Sequence, residues 1–365
     1  MKIQDITADL ETWAPLAYQE SYDNAGLLVG DARTTVTGIL VTLDITEAVV
    51  EEAIQKKCNL IVAHHPIVFR GLKKLNGRNY VERVVIKAIK HDIALYAAHT
   101  NLDNIAGGVS FKIAEKLNLQ QVRVLAPKSQ VLTKLAVFTP AKAIQTVLAA
   151  LYEAGAGQIG AYEHCSFRVG GTGTFKPLAG ASPAIGRVGT EEAVQEERIE
   201  VIFPTFLENR LVTALKKAHP YEVPAYDLYP LANENQEVGA GAVGELPEAM
   251  AETDFLAYLK NRMNLSVIRH TGLRQQPVRR VAVCGGAGGF LLNDAVRAGA
   301  DVFITADYKY HEFFDADQRT MIADIGHYES EVFTKDLILH YLLKKNHTFA
   351  VILSEIDTNP VFYYS

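Results

Sequence analysis

The sequence is poor in cysteine, and the three it has, Cys58, Cys165 and Cys284, are an odd number set far apart with no CxxC pair. That excludes a disulfide framework and a cysteine-based zinc or redox motif, and leaves each thiol to act as a small buried hydrophobe. No run of Lys or Arg makes a phosphate-tracking patch, and Lys+Arg 36 against Asp+Glu 42 leave a net charge of -6, so nucleic acid is not expected as a main ligand. No uninterrupted apolar stretch reaches membrane-spanning length. Met1-Lys2-Ile3-Gln4-Asp5 puts polar residues where a signal peptide carries its apolar core, so a cytoplasmic protein without a membrane partner is expected. The signature of a disordered chain is missing too, because 48% of residues are hydrophobic and 21% charged. At roughly 150 residues per domain, 365 residues suffice for more than one.

What is present is an alternation of short apolar runs and amphipathic stretches. Gly38 to Asp44 reads as a buried strand, Glu47 to about Lys57 as a helix with Thr46 as N-cap, and Asn59 to Ala63 as a second buried strand, which together make a βαβ unit. A helix over about Tyr80–His91, the strand Ile93 to Ala97 and a helix over about Val109–Leu117 continue the pattern. The last third repeats it, with strands Val278 to Val283 and Asp301 to Thr305 around the turn Cys284–Gly289 and a helix to about Ala298. A helix near Tyr328 to Lys344 and the strand Thr348 to Ser354 follow. Such alternation favours a largely parallel sheet covered on both faces, and one sheet built from both ends of the chain is compatible with it. The middle differs: strand Val131 to Phe138, helix to about Ala154, a Gly-rich stretch Tyr162 to Phe175, Ile199 to Phe203, helix Leu207 to Ala218 and strand Tyr221 to Tyr229. This order fits a ferredoxin-like α+β module at residues 127–235, inserted into an α/β domain formed by residues 1–126 and 236–365.

The chemistry-bearing residues gather at strand ends, where open α/β sheets place their ligands. The strand Asn59–Ala63 ends in His64-His65-Pro66, where the loop can turn both imidazoles to one side as metal ligands or as a structural pair. The next strand ends in His99-Thr100-Asn101-Leu102-Asp103-Asn104, in which Asp103 serves either as a carboxylate at the same edge or as a turn former. His327 and Glu331 stand four apart at a helix start, sharing a face as joint ligands or forming a solvated first turn. Jointly these are three imidazoles and two carboxylates, a donor set suited to zinc, iron or manganese with positions left open for water. The Cys284–Gly289 loop matches no nucleotide fingerprint and reads as a tight chain reversal, Asp44 as a cap or an outer partner, and the acidic Glu191–Glu197 run as solvated surface. His164 and His219, in the middle module, read as non-ligands.

These motifs, together with Ser21-Tyr22-Asp23-Asn24-Ala25-Gly26-Leu27-Leu28-Val29-Gly30, Thr305-Ala306-Asp307 and Tyr310-His311, closely resemble the Nif-three-like family of dinuclear metal-centre proteins, often labelled GTP cyclohydrolase I type 2 homologs. The resemblance covers nearly the whole chain. It implies two divalent ions per chain on His64, His65, Asp103, His327 and Glu331, with Asp103 bridging, and leaves His99 and His311 as outer partners or proton carriers with catalytic roles. It further implies a toroidal homohexamer, such as a dimer of trimers, and a middle insertion similar to the CutA and PII folds, whose ending His219-Pro220-Tyr221-Glu222-Val223-Pro224 resembles. Ala242, in the expected loop Gly239–Gly244, stands where many relatives carry an Arg suited to phosphate, which weakens the expectation of nucleotide binding by that route. The function expected is a metal-dependent hydrolase, cyclohydrolase-like or acting on a phosphoester; the alternative is a non-enzymatic metal-binding or regulatory scaffold whose inserted domain senses a ligand.

Overall fold

The computed structural model describes residues 1–345 and 348–364. The chain begins with α1 (Ile3–Trp13), β1 (Gly26–Val29), β2 (Gly38–Thr42), α2 (Glu47–Gln55), β3 (Leu60–Ala63), α3 (Tyr80–Lys90), β4 (Ala94–Ala97), α4 (Thr100–Asp103), α5 (Val109–Lys116) and β5 (Gln120–Ser129). The middle holds β6 (Leu132–Pro140), α6 (Ile144–Glu153), β7 (Phe167–Phe175), β8 (Glu192–Pro204), α7 (Glu208–Ala218) and β9 (Tyr226–Leu231). Then come β10 (Glu234–Met250), α8 (Glu252–Arg262), β11 (Arg269–His270), β12 (Val278–Ala287), α9 (Leu292–Arg297), β13 (Val302–Ala306), β14 (Met321–Asp324), α10 (His327–Glu331), α11 (Thr334–Leu343) and β15 (Ala350–Leu353). Contacts divide the chain into two units, Met1–Pro127 with Gln236–Ser365, and Lys128–Asn235.

The first unit contains two sheets rather than one. The first is ordered β1-β4-β3-β2-β15, with β15, β2, β3 and β4 parallel and β1 antiparallel at the edge. The second is ordered β11-β14-β13-β12-β10-β5, with β12, β13 and β14 parallel. A single sheet does not form because the first ends at β1 and β15, while β12 takes its two neighbours, β10 and β13, in the second. Each sheet instead borrows from the other end of the chain. Strand residues alternate between two apolar clusters, Ile39, Val41, Leu60 and Val62 against α1 and α11, and Leu40, Ile61 and Leu95 against α2 and α3. Each fully buried Leu or Ile contributes roughly 1.5–3 kcal/mol, so continuous apolar strands covered on both faces fix the register. The Thr46 hydroxyl accepts from the Val49 amide at 3.3 Å and starts α2 as the sequence implies.

Two local expectations need correction. The helix expected over Tyr328–Lys344 is broken at Val332–Phe333 into α10 and α11, because α10 packs against β12 while Ile338 and Leu342 of α11 bury themselves beside the first sheet. Gly239–Gly244 is not a loop: it lies inside the long strand β10, and Ala242 is fully buried in the apolar cluster of the second sheet.

The second unit is an antiparallel sheet ordered β7-β8-β6-β9, with α6 and α7 packed on the face that carries Leu135, Val137, Ile199 and Val201. Its acidic run lies at the surface as expected, with none of its residues buried, but most of it forms part of β8, and Glu196 accepts a 2.7 Å hydrogen bond from the Tyr221 hydroxyl. Cys58 and Cys284 are buried and Cys165 is half-buried. No helix among the described residues is long and apolar enough to cross a membrane.

Candidate metal centre

The parallel strands of both sheets end at one place in the first unit. β3 runs directly into His64 and His65, whose amides both donate to the Leu43 carbonyl at 3.1 and 3.0 Å, and this turn brings the two rings to 4.9 Å between centroids on a single side. β4 runs into His99 and then into the single turn α4, which ends in Asp103. From the second sheet, β14 leads through Ile325 and Gly326 to α10, whose first and last residues are His327 and Glu331. Gly326 and Gly286 both have positive φ, at 91° and 62°. A Cβ on Gly286 would collide with the Glu331 carboxylate, so the glycine-rich turn after Cys284 lets the backbone approach the centre closely.

Glu331 is the hub. One carboxylate oxygen lies 2.8 Å from His65 Nε2 and 3.0 Å from His327 Nε2; the other lies 3.7 Å from His64 Nε2. Asp103 Oδ1 also stands 3.7 Å from His64 Nε2, and the Nε2 atoms of His65 and His327 are 3.3 Å apart. His99 enters the same cluster, with its ring centroid 5.3 Å from His64 and 5.5 Å from His65. Two overlapping donor sets result, His64 with His65 and His99, and His65 with His327 and Glu331, each with its ligand atoms within 4.8 Å of one another.

The four imidazoles share one construction. His64 Nδ1 donates to the Ala98 carbonyl, and the Nδ1 atoms of His65, His99 and His327 pair with Asp44, Asp23 and Asp307, all four at 2.7 Å. Every Nδ1 is thus tied to an outer oxygen, the arrangement by which ligating histidines are fixed in tautomer and orientation. Asp23 is itself held by the Thr100 amide and hydroxyl. Burial opposes its charge, but His99 and Thr100 outweigh it and hold the carboxyl down at about 2.

The electrostatics show a site short of positive charge. Burial pushes Asp103 well up, and the neighbouring Glu331 charge adds to this. Burial pushes Glu331 the same way, yet the imidazoles of His327, His64 and His65 hold it well below the carboxylate range. Burial also disfavours charged imidazoles, but hydrogen bonds donated to Asp44 and Glu331 push His65 up to about 10, and Glu331 with Asp307 push His327 up to about 9. His64, wholly buried, is shifted down. With its Nδ1 proton on Ala98, it keeps a bare Nε2 lone pair. His64 Nε2 and Asp103 Oδ1 are buried polar atoms without a hydrogen-bond partner. Two donors each about 2.1 Å from a shared ion sit about 3.4 Å apart in tetrahedral geometry, so a 3.7 Å pair of orphaned donors fits a cation between them.

A cleft of about 840 Å³ opens onto this cluster, lined by His65, His99, His327, Phe69, Arg269 and Tyr328 among others. The sequence profile of Duf34/NIF3 (NGG1p interacting factor 3) matches residues 1–360. The chain belongs to the Duf34/NIF3 family. A relative from Bacillus subtilis (strain 168), named GTP cyclohydrolase 1 type 2 homolog, is 41% identical over 362 residues, 98% of this chain and 97% of that one. A protein of the same name from Staphylococcus epidermidis (strain RP62A) is 36% identical over the full length of both chains. Among solved structures, the Bacillus cereus protein related to NIF3 superposes with a TM-score of 0.87 at 38% identity, over 100% of this chain and 99% of that one.

Of the residues singled out in the sequence, His64, His65, His327 and Glu331 meet directly, Asp103 adjoins His64, and His99 joins the histidine group. His311 does not join them; it is exposed in the 3-10 segment Tyr310–Ala316 with its ring against Tyr310. Asp44, weighed between cap and outer partner, is the partner of His65. Asp23 and Asp307 belong to the quoted family motifs, but their partners lie 76 and 20 residues away, and no local spacing signals the pairing.

Proposed function

We propose that this Duf34/NIF3 protein is a divalent-metal-dependent hydrolase with a two-ion centre that His64, His65, Asp103, His327 and Glu331 would hold. The supporting observation is the pair of buried, unpartnered donors, His64 Nε2 and Asp103 Oδ1, set among imidazoles whose Nδ1 atoms are all anchored outward. When bound, ions of the zinc, iron or manganese type supply Lewis acidity and make water nucleophilic near neutral pH. The chain's own residues do the rest. Asp44, Asp307 and Asp23 hold the rings in place, the cleft admits a small substrate, and His99, on the cleft wall with Nδ1 on Asp23, is placed to carry a proton. The substrate class on this reading is a cyclic amidine or a phosphoester, and a ring of six chains remains part of the proposal, which sedimentation would test.

Elemental analysis by mass spectrometry of gently purified protein tests the centre. Nearly two equivalents of one divalent metal per chain are expected, falling sharply in folded His65→Ala and Glu331→Ala proteins. Little metal in the unaltered protein after anaerobic reconstitution would sink the two-ion reading.

The second reading is a regulatory scaffold, with the middle unit as a ferredoxin-like sensing module. It is favoured by a separate cleft of about 610 Å³ in that unit, lined by Phe138, Val169, Phe175, Glu196, Arg198 and Tyr221. Deleting residues 128–235 without any effect on metal uptake or partner binding would remove its support.

A further inference from the structure

Residues 354–364, after β15, have no regular secondary structure, yet they are tied down by a series of specific bonds. Because β15 lies parallel to β2 with Leu353 opposite Val41, the chain leaving β15 runs beside the chain leaving β2. The Ser354 amide continues the ladder onto the Val41 carbonyl at 2.8 Å. Glu52, buried on α2, takes the Ser354 hydroxyl on one carboxylate oxygen and the Glu355 amide, at 2.9 Å, on the other. Four residues beyond Ser354 the segment reaches the end of β2, where the Thr358 hydroxyl donates to Asp44 Oδ2 at 2.6 Å. The other oxygen of that carboxylate, Oδ1, holds His65 Nδ1 at 2.7 Å. Asn359 Nδ2 donates to Glu329 of α10 at 3.3 Å, and Asn359, Pro360, Val361 and Tyr363 line the cleft over the cluster.

We infer that Thr358 is a positioning residue of the metal centre: its hydroxyl pins one oxygen of Asp44 so that the other holds His65 with Nε2 directed at Glu331, and β15 serves to deliver it. Without the hydroxyl, Asp44 can turn about its Cβ–Cγ bond, and the fixed orientation of His65 is lost while the ring itself stays. An outer partner such as Asp44 is worth about 10–100-fold in metal affinity, and Thr358, which acts through it, is expected to carry the lower part of that range. This rests on the reading of the cluster as a metal site.

The test is Zn²⁺ affinity by competition with a colorimetric chelator, together with the visible spectrum of the Co²⁺-loaded protein, which reports ligand geometry independently of turnover. Thr358→Val is expected to weaken Zn²⁺ by about 10-fold and to alter the Co²⁺ spectrum. Thr358→Ser, which keeps the hydroxyl, is expected to restore both. Melting of the chelated proteins shows whether each variant is folded; because Thr358 lies in an irregular half-buried segment, Thr358→Ala serves as a second removal should valine be disruptive. In an Asp44→Ala background Thr358→Val should add nothing, because Asp44→Ala already removes the path through which Thr358 acts. Unchanged affinity in Thr358→Val and Thr358→Ala, equal loss in Thr358→Ser, or additive loss on Asp44→Ala would overturn the inference while His65→Ala still abolishes binding. Unchanged Zn²⁺ binding in His65→Ala would instead remove the metal-site reading beneath it.

Discussion

His64 of the first unit and His219 of the second begin alike. Both are buried, both give one ring nitrogen to a backbone carbonyl, Ala98 at 2.7 Å and Phe138 at 3.0 Å, and burial shifts both downward. They part at the other nitrogen. His219 Nδ1 accepts the Tyr221 amide at 3.1 Å, which closes its hydrogen-bonding capacity within the turn it stabilises. His64 Nε2 has no such partner and faces the carboxylates of Asp103 and Glu331 at 3.7 Å each. Burial and anchoring therefore do not separate a structural histidine from a candidate ligand; the second nitrogen does.

The comparison breaks most visibly under truncation. His64→Ala should lower metal affinity by more than the roughly 10–100-fold lost with an outer partner. His219→Ala should leave metal content unchanged and instead cost about 1–3 kcal/mol of stability, because the Phe138 carbonyl and the Tyr221 amide lose their partner. Equal metal loss in both variants, read by elemental analysis beside thermal melts, would erase the distinction.

The two regions should also respond oppositely to pH. In chelated protein, His65 and His327, raised to about 10 and about 9, hold protons that the unfolded chain releases near 6.5. Their stabilisation is complete below about 6.5 and is lost as pH rises through 9 and 10. His219, shifted down, contributes above about 6.5 and loses that contribution as pH falls through its lower folded value. Melting temperatures of chelated protein should therefore fall between pH 7 and 10, less so in His65→Asn/His327→Asn, while His219→Gln should flatten the acid limb alone. Metal-loaded protein should lose the alkaline slope, because ligation replaces those protons.

The smallest contrast uses two glycines. Gly286→Ala puts a Cβ at positive φ against the Glu331 carboxylate and should cost about 1–2 kcal/mol and weaken metal binding. Gly171→Ala, in β7 with open space around its missing Cβ, should be neutral or stabilise by up to about 1 kcal/mol. Urea melts with metal titration compare them.

Much of the centre was legible because its donors follow regular elements. His64-His65, His99 and Asp103 come where apolar strands stop, and the four-residue spacing of His327 and Glu331 places both on one helical turn. What escaped was long-range. Thr358 has no pattern of its own, and its role depends on β15 pairing with β2, some three hundred residues earlier. The exchange of β5 and β15 between the sheets was hidden because apolar periodicity marks a strand without naming its neighbour. The break at Val332–Phe333 was hidden for a related reason: the apolar run continues across it, and two different packing partners divide it.

Strand exchange also sets an order of assembly during synthesis. Domains fold as units as the chain emerges, amino-terminal parts first. Residues 128–235 appear without interruption and have every strand of their sheet at hand. The surrounding unit must wait, because β2 meets its outer neighbour, and His65 meets Glu331 and the Thr358–Asp44 path, only after residues 327–358 have been made. A chain that stalls or is cut before residue 327 carries the paired histidines without the glutamate and holds the first sheet without β15; one cut between residues 331 and 350 has the glutamate but lacks β15 and the Thr358–Asp44 bond, so the cluster is finished only once residue 358 has been made.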